Sequence, residues 1–186
     1  MIPVHEQGDG CVFGHRINRF IRRFDEICAE FTEKERTGAF ALFFYDSQNV
    51  GLRKILDDQD VFAQLELLAD ADLRLFYVHA SKPKSIQRFN SDFLTSLGVE
   101  ATAQLPCVVL FRCDGEAIHD IAIAQLDNAN VVQGFTELPA AIADYKAKEL
   151  DSSPTPAQHL KWIRATGESD TLEMVRGGLR RTLDQL

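Results

Sequence analysis

Two of the four cysteines, Cys107 and Cys113, end a single apolar run, Cys107-Val108-Val109-Leu110-Phe111-Arg112-Cys113. Such a run reads as a strand, and at about 3.3 Å per residue its ends stand about 20 Å apart, whereas a disulfide needs its Cα atoms within about 7 Å. The two thiols therefore neither pair nor share a metal. Cys107 directly follows Pro106, where a lone thiolate would react with peroxide or form mixed disulfides. A protonated thiol would instead pack as a small apolar residue, and that is the expected role. His5, Cys11 and His15 have ligand chemistry but lack a fourth ligand and the short paired spacings of a zinc site. Asp57, Asp58 and Asp60 resemble half of a cation loop, without the glycine turn or distal glutamate that calcium requires, and read as solvated caps. His79 and His119 accompany no identifiable nucleophile, and neither a Gly-x-Ser-x-Gly turn nor a phosphate-cradling glycine loop is present. No metal and no cofactor is expected.

Charge narrows the partners further. The 186-residue chain carries a formal charge of −8 with a pI near 5.1. Nucleic-acid affinity depends on lysines and arginines displacing counterions, so nucleic acid is not an expected partner. Arg16, Arg19, Arg22 and Arg23 concentrate positive charge at the start of the first helical pattern, which costs a few tenths of a kcal/mol against the helix dipole. Pairing of Arg22 with Glu26 one turn on is the expected compensation, with an acidic partner surface as the alternative. The longest apolar run, Ala39 to Tyr45, falls far short of the roughly 18 residues of a spanning helix. The first residues also lack the basic-then-apolar order of a signal peptide. A cytoplasmic protein with reduced thiols and no membrane association is expected.

These residues need elements to hold them. Residues 1–14 show little periodicity, with a short edge strand at Cys11-Val12-Phe13. From His15 to Lys34, Ile17, Phe20, Ile21, Phe24, Ile27, Cys28 and Phe31 recur at helical spacing and predict an amphipathic helix. Ala39 to Tyr45 is apolar throughout, which predicts a strand covered on both faces. Leu52, Ile55 and Leu56 open a second helix, continued by Val61, Phe62, Leu65 and Leu68 after the acidic interruption. Leu73 to His79 is a further buried strand. Pro83 suits a first helical turn, and Ile86, Phe89, Phe93, Leu94 and Leu97 share one face ahead of a terminating Gly98. Asp114-Gly115 predicts a hairpin joining Cys107–Arg112 to about Ala117–Ala124. Thr136 to Leu150 forms a last helix. After a linker at 151–156, Thr155, Pro156 and Gln158 make a capping box. A C-terminal helical hairpin should follow, with Leu172, Val175, Leu179, Leu183 and Leu186 as its apolar stripe. That stripe must be buried on its own domain or on a second copy, giving a homodimer through residues 157–186.

Leu105-Pro106 before Val108-Val109-Leu110-Phe111, the Asp114-Gly115-Glu116 turn, and Val132-Gln133-Gly134 ahead of the last helix together resemble the thioredoxin-like superfamily over residues 15–150. The resemblance implies an α/β fold with a mixed four-stranded sheet flanked by helices, here as a domain over residues 1–150 with a helical extension over 151–186. It also implies a cis peptide at Pro106, facing a substrate groove. The family's two redox cysteines fall at about Asn49 and Leu52 in this chain, so disulfide exchange has no thiols to run on. The segments from Gly98 to Pro106 and from Glu116 to Gly134 are longer than the family pattern, so the rim of the groove is expected to be rebuilt.

A redox-inactive, thioredoxin-like protein that works by binding another protein, as a chaperone, adaptor or partner-neutralising protein, is the expected function. Its groove would comprise Asp46, Ser47, Gln48, Asn49, Leu105, Pro106 and Cys107. The alternative is a single-cysteine thiol enzyme, a peroxidase or glutathione-dependent protein, built on Cys107.

Overall fold

A computed structural model describes residues 15–34, 36–46, 48–49, 52, 55, 73–79, 82–147, 157–165 and 172–183. The chain begins with a two-residue strand β1 (His15–Arg16) that runs straight into helix α1 (Ile17–Lys34). All seven apolar positions of the helical stripe are buried on one face of α1. Strand β2 (Gly38–Phe44) is buried at every residue, and strand β3 (Leu73–His79) lies parallel to it. Helix α2 (Pro83–Ser96) has Pro83 in its first turn, where the missing N–H would have been unpaired anyway. Gly98, at φ 66°, turns the chain out of that helix in a left-handed conformation that costs glycine little. Strands β4 (Cys107–Cys113) and β5 (Ile118–Leu126) form the antiparallel hairpin. Helix α3 (Val131–Ala147), strand β6 (Leu160–Arg164) and helix α4 (Leu172–Leu183) complete the described elements.

Five strands make the mixed sheet, in the order β3-β2-β4-β5-β6, and β1 adds a two-residue parallel pairing outside β3. Side-chain alternation divides the interior into two cores. Phe40, Leu42 and Phe44 of β2, with Cys107, Val109, Phe111 and Cys113 of β4, face α1, α2 and α4. Ala39, Ala41 and Phe43, with Val108 and Leu110, face α3 together with Leu52 and Ile55. The first core is a lattice of phenylalanines. Phe40 and Phe111 are cross-strand partners with ring centroids 5.1 Å apart, and Phe24 of α1 stands 5.3 Å from Phe40. Such ring pairs add about 0.5–1.5 kcal/mol beyond the area they bury.

The fold differs from the sequence-based expectation at several places. The sheet has five strands rather than four, because residues 160–164 form β6 and not the first helix of a hairpin. Thr155 and Pro156 of the expected capping box lie outside the described residues. The N–H groups of Gln158 and His159 donate to the Glu137 carboxylate at 3.1 and 2.9 Å, which fixes the approach to β5. Leu160 to Arg164 then pair antiparallel with Leu126 to Ala122. The alternating Leu-Lys-Trp-Ile-Arg pattern suits an edge strand, and pairing with an otherwise open edge overrides a local helix-start signal. Helix α3 starts at Val131 rather than Thr136. Asp127 accepts from Ala129 N at 2.9 Å and from Asn130 Nδ2 at 2.7 Å ahead of it, and Pro139 is accommodated inside the helix. Glu26 pairs with Arg23, at 2.8 Å, and not with Arg22. The edge strand expected at 11–13, and the second helix apart from Leu52 and Ile55, lie outside the described residues. Both of those residues are helical and buried.

Helix α4 settles where the C-terminal stripe goes. Leu172, Val175 and Leu179 are buried in the phenylalanine core of their own domain. Leu172 N donates to Glu116 O at 3.0 Å, and Arg176 Nε meets Asp25 Oδ1 of α1 at 2.7 Å. A Cβ on Gly178 would stand 2.3 Å from Ser96 Oγ, so α4 crosses α2 at close range. The side chains of Leu183 and Leu186 lie outside those described.

Leu179→Ala should lower the free energy of unfolding by about 2–5 kcal/mol, the range for emptying a fully packed leucine site; urea denaturation followed by circular dichroism measures it. At the β4–β5 turn, Asp114 Oδ1 accepts from Ala117 N at 2.9 Å and Glu116 N at 3.0 Å, and these two bonds hold its carboxyl below the ordinary value. A depressed carboxyl contributes stability that is complete above its unfolded pKa, about 3.9, and is lost as pH falls through the folded value. The melting-temperature gap between the parent and Asp114→Ala should therefore be open at pH 6 and close below about pH 4.

Candidate functional site

The register between β2 and β4 determines what meets at one end of the sheet. Phe44 pairs with Cys107, so the residues leaving β2, Tyr45 and Asp46, emerge beside Leu105 and Pro106 entering β4. Asp46 starts a tight turn: its Oδ1 accepts from Gln48 N at 2.9 Å, and its carbonyl accepts from Asn49 N at 3.0 Å. Asn49 Oδ1 in turn accepts from Leu52 N at 2.9 Å, the bond of a helix N-cap. Its Nδ2 donates across to Asn128 Oδ1 at 2.7 Å, tying the turn to the β5–α3 connection. Beneath, Asn90 of α2 donates through Nδ2 to Tyr45 O at 2.9 Å and is itself 3% exposed.

The Leu105–Pro106 peptide is cis. Gln125 of β5 clamps this segment: its Oε1 accepts from Gln104 N at 2.9 Å, and its Nε2 donates to Gln104 O and, at 3.0 Å, to Pro106 O. Leu126 N also donates to Pro106 O, at 3.1 Å. Leu105 lies between these anchors and is half-buried. Among the described residues, neither its N–H nor its carbonyl has a hydrogen-bond partner. A backbone donor and acceptor are thus held in fixed positions beside the Asp46–Asn49 turn.

Six of the seven expected groove residues are described. Asp46, Gln48 and Asn49 form the turn, Leu105 and Pro106 face it, and Cys107 begins β4; Ser47 lies outside the described residues. Cys107 does not reach the surface. It is fully buried, and burial pushes its thiol up to about 12. Gln104, Gln125, Asn128 and Asn90 belong to the same end of the sheet and were not singled out by sequence reasoning. Gln125 carries a legible signal, as the polar residue in the otherwise apolar run Ile121-Ala122-Ile123-Ala124-Gln125-Leu126. The asparagines carry none.

Among the described residues no group of three His, Cys, Asp or Glu side chains is placed to hold a metal. His5, Cys11 and the Asp57-Asp58-Asp60 cluster lie outside them. His119 is half-buried with Nδ1 3.9 Å from Asp114 Oδ2, beside the hairpin turn and away from the groove. No described helix is long and apolar enough to cross a membrane. No protein family, no curated protein and no solved structure matches the chain.

With a thiol raised to about 12 by burial, the thiolate fraction of Cys107 at pH 8 is roughly one part in ten thousand. Iodoacetamide labelling of the native protein, mapped by peptide mass spectrometry, should leave Cys107 unmodified until the chain unfolds. Rapid native labelling would restore the thiol-enzyme reading.

Proposed function

We propose that this chain is a thioredoxin-like protein without dithiol chemistry that works by holding an extended segment of another protein, as a chaperone, adaptor or partner-neutralising protein. The parallel pair β2 and β3, the antiparallel pair β4 and β5, and a cis proline at the start of β4 support the thioredoxin-like reading. At the positions corresponding to the family's redox cysteines stand Asn49, engaged in two hydrogen bonds, and buried Leu52. Neither side chain transfers electrons. The buried, high-pKa Cys107 supports the non-catalytic reading over the single-cysteine one.

The observation that carries the proposal is the unpaired backbone of Leu105. A strand-like segment needs one donor and one acceptor to add a rung of main-chain pairing, and such pairing gives affinity with little demand on the ligand's sequence. Leu105 offers both, with the Asp46–Asn49 turn on one side and the Gln125 clamp fixing its flanks. Recognition through main-chain groups suits a protein whose ligand is a polypeptide rather than a small molecule.

Amide exchange on the isotope-labelled full chain tests this. Titration with fluorescein-labelled unstructured peptides, followed by anisotropy, should show saturable binding, and the Leu105 amide should exchange several-fold more slowly in the bound state. Protection confined to a different surface, or no binding at millimolar peptide, would overturn the reading.

A further inference from the structure

We propose that the arginine cluster where β1 runs into α1, Arg16, Arg19, Arg22 and Arg23, is a docking surface for an acidic segment of a partner polypeptide. The partner is the polypeptide of the main-chain reading, on which this inference rests, and its chemistry is a run of carboxylates. Arg16, Arg19 and Arg22 are exposed, and with Asn18, Arg23 and Glu26 they line an open hollow of about 520 Å³.

Four like charges on one stretch of chain are costly where they stand. Arg19 has Arg16 and Arg22 three residues away and Arg23 four away, the spacings at which like charges repel on a helix. They gather at the positive end of the helix dipole, and the first turn of α1 holds no acidic residue to offset them. The neighbouring carboxylates are engaged: Glu26 with Arg23 at 2.8 Å, and Asp25 with Arg176 and Arg180 at 2.7 and 3.3 Å. Among the described residues the guanidinium groups of Arg16, Arg19 and Arg22 have neither an ion pair nor a hydrogen bond. Arg23 Nε, closed off from solvent, is also without a hydrogen-bond partner among them. Nothing in the local structure calls for this charge, yet it stands in a chain of formal charge −8. At physiological salt, charges beyond about 8 Å are screened, so a bound carboxylate responds to the arginines rather than to the net charge.

Arginine suits carboxylates because its planar fork donates two parallel hydrogen bonds to both oxygens. From Arg16 to Arg23 the cluster is spread along about 10 Å, at about 1.5 Å per residue. Such a row meets successive carboxylates along a chain, whereas a compact polyphosphate needs donors directed at one point. The row also starts beside the candidate site. β1 pairs with Val78 and His79, the last residues of β3, and β3 runs parallel to β2. α1 therefore begins at the end of the sheet where β2 stops and Leu105 stands. Its last turn lies at the opposite end, where Thr32 Oγ1 donates to Gly115 O at 3.0 Å. In the sheet order β1 is three strand positions from β4, about 14 Å at about 4.8 Å per strand, a distance that a short extended segment spans.

The experiment uses the full chain and fluorescein-labelled poly-glutamate, followed by anisotropy. Saturable binding that weakens several-fold as sodium chloride is raised is expected, with none to poly-glutamine. The double variant Arg19→Glu, Arg22→Glu should lose at least tenfold in affinity while melting at or above the parent temperature, because it removes repulsion and places negative charge near the helix N-terminus. Should the double variant melt lower, Arg22→Glu alone should still weaken binding several-fold. An affinity unchanged by charge reversal would overturn the proposal, as would tripolyphosphate binding without poly-glutamate binding, or a dimer of the parent that the double variant breaks. Slowed exchange of the Leu105 amide with an affinity indifferent to charge reversal would overturn this surface and leave the main-chain reading standing. Loss of binding on charge reversal, with Leu105 unprotected, would support the arginine surface and overturn the main-chain reading.

Discussion

The central strand β2 is buried on both of its faces, and the rest of the structure follows from that constraint. All seven residues of β2 are buried, so both faces of the strand must be roofed by other elements. The two roofs are unlike. The face carrying Phe40, Leu42 and Phe44 is thick with aromatic rings and is covered by three helices. The face carrying Ala39 and Ala41 is thinner and is covered by α3 with Leu52 and Ile55. The C-terminal helix belongs to the structure because the thicker face has room for a third layer element. Leu172, Val175 and Leu179 of its stripe answer a need of that core.

The same constraint determines where function can reside. A strand buried on both faces meets solvent only at its ends, so reactive or binding groups gather where β2 stops and β4 begins, or at the opposite hairpin. The first end is rich in side-chain amides: Asn49 and Asn128 bond to each other, and Asn90 and Gln125 bond to backbone there. Neutral amides fix a backbone without bringing charge. That suits a surface presenting main-chain donors and acceptors. The second end is the Asp114–Gly115 turn, where the Asp114 carboxylate accepts from two backbone N–H groups.

What the sequence made legible tracks how local each determinant is. The α1 stripe is buried at every position named from periodicity, because an apolar face of seven residues has one way to be hidden. The strands and the hairpin turn follow from runs and turn residues read in place, whereas the cis peptide at Pro106 was expected only from the family resemblance. Residues 160–164 were not legible, since their strand pairing is decided by the open edge of β5 and by Glu137, more than twenty positions away. The start of α3 was missed because Val132-Gln133-Gly134 read as the approach to the helix, although Asp127 and Asn130 lead into it at Val131. At the end of the sheet where β2 meets β4, the turn and the proline segment were visible as chain features, whereas the Gln125 clamp and the Asn49–Asn128 bond exist only once the strands are paired.

Asn49 illustrates how one side chain can hold a turn from two sides. Its side chain serves two masters at once, the amide of Leu52 through oxygen and Asn128 through nitrogen. A thiol at that position would cap the helix poorly, at a cost of about 0.5–2 kcal/mol, and would release Asn128 as well. The partner position is no easier, because Leu52 is 2% exposed and a shorter side chain there would leave a void in the α3-side core. A thiol at either position would therefore destabilise the fold. The residues of the turn serve as architecture, and the packing itself stands against a dithiol at that site.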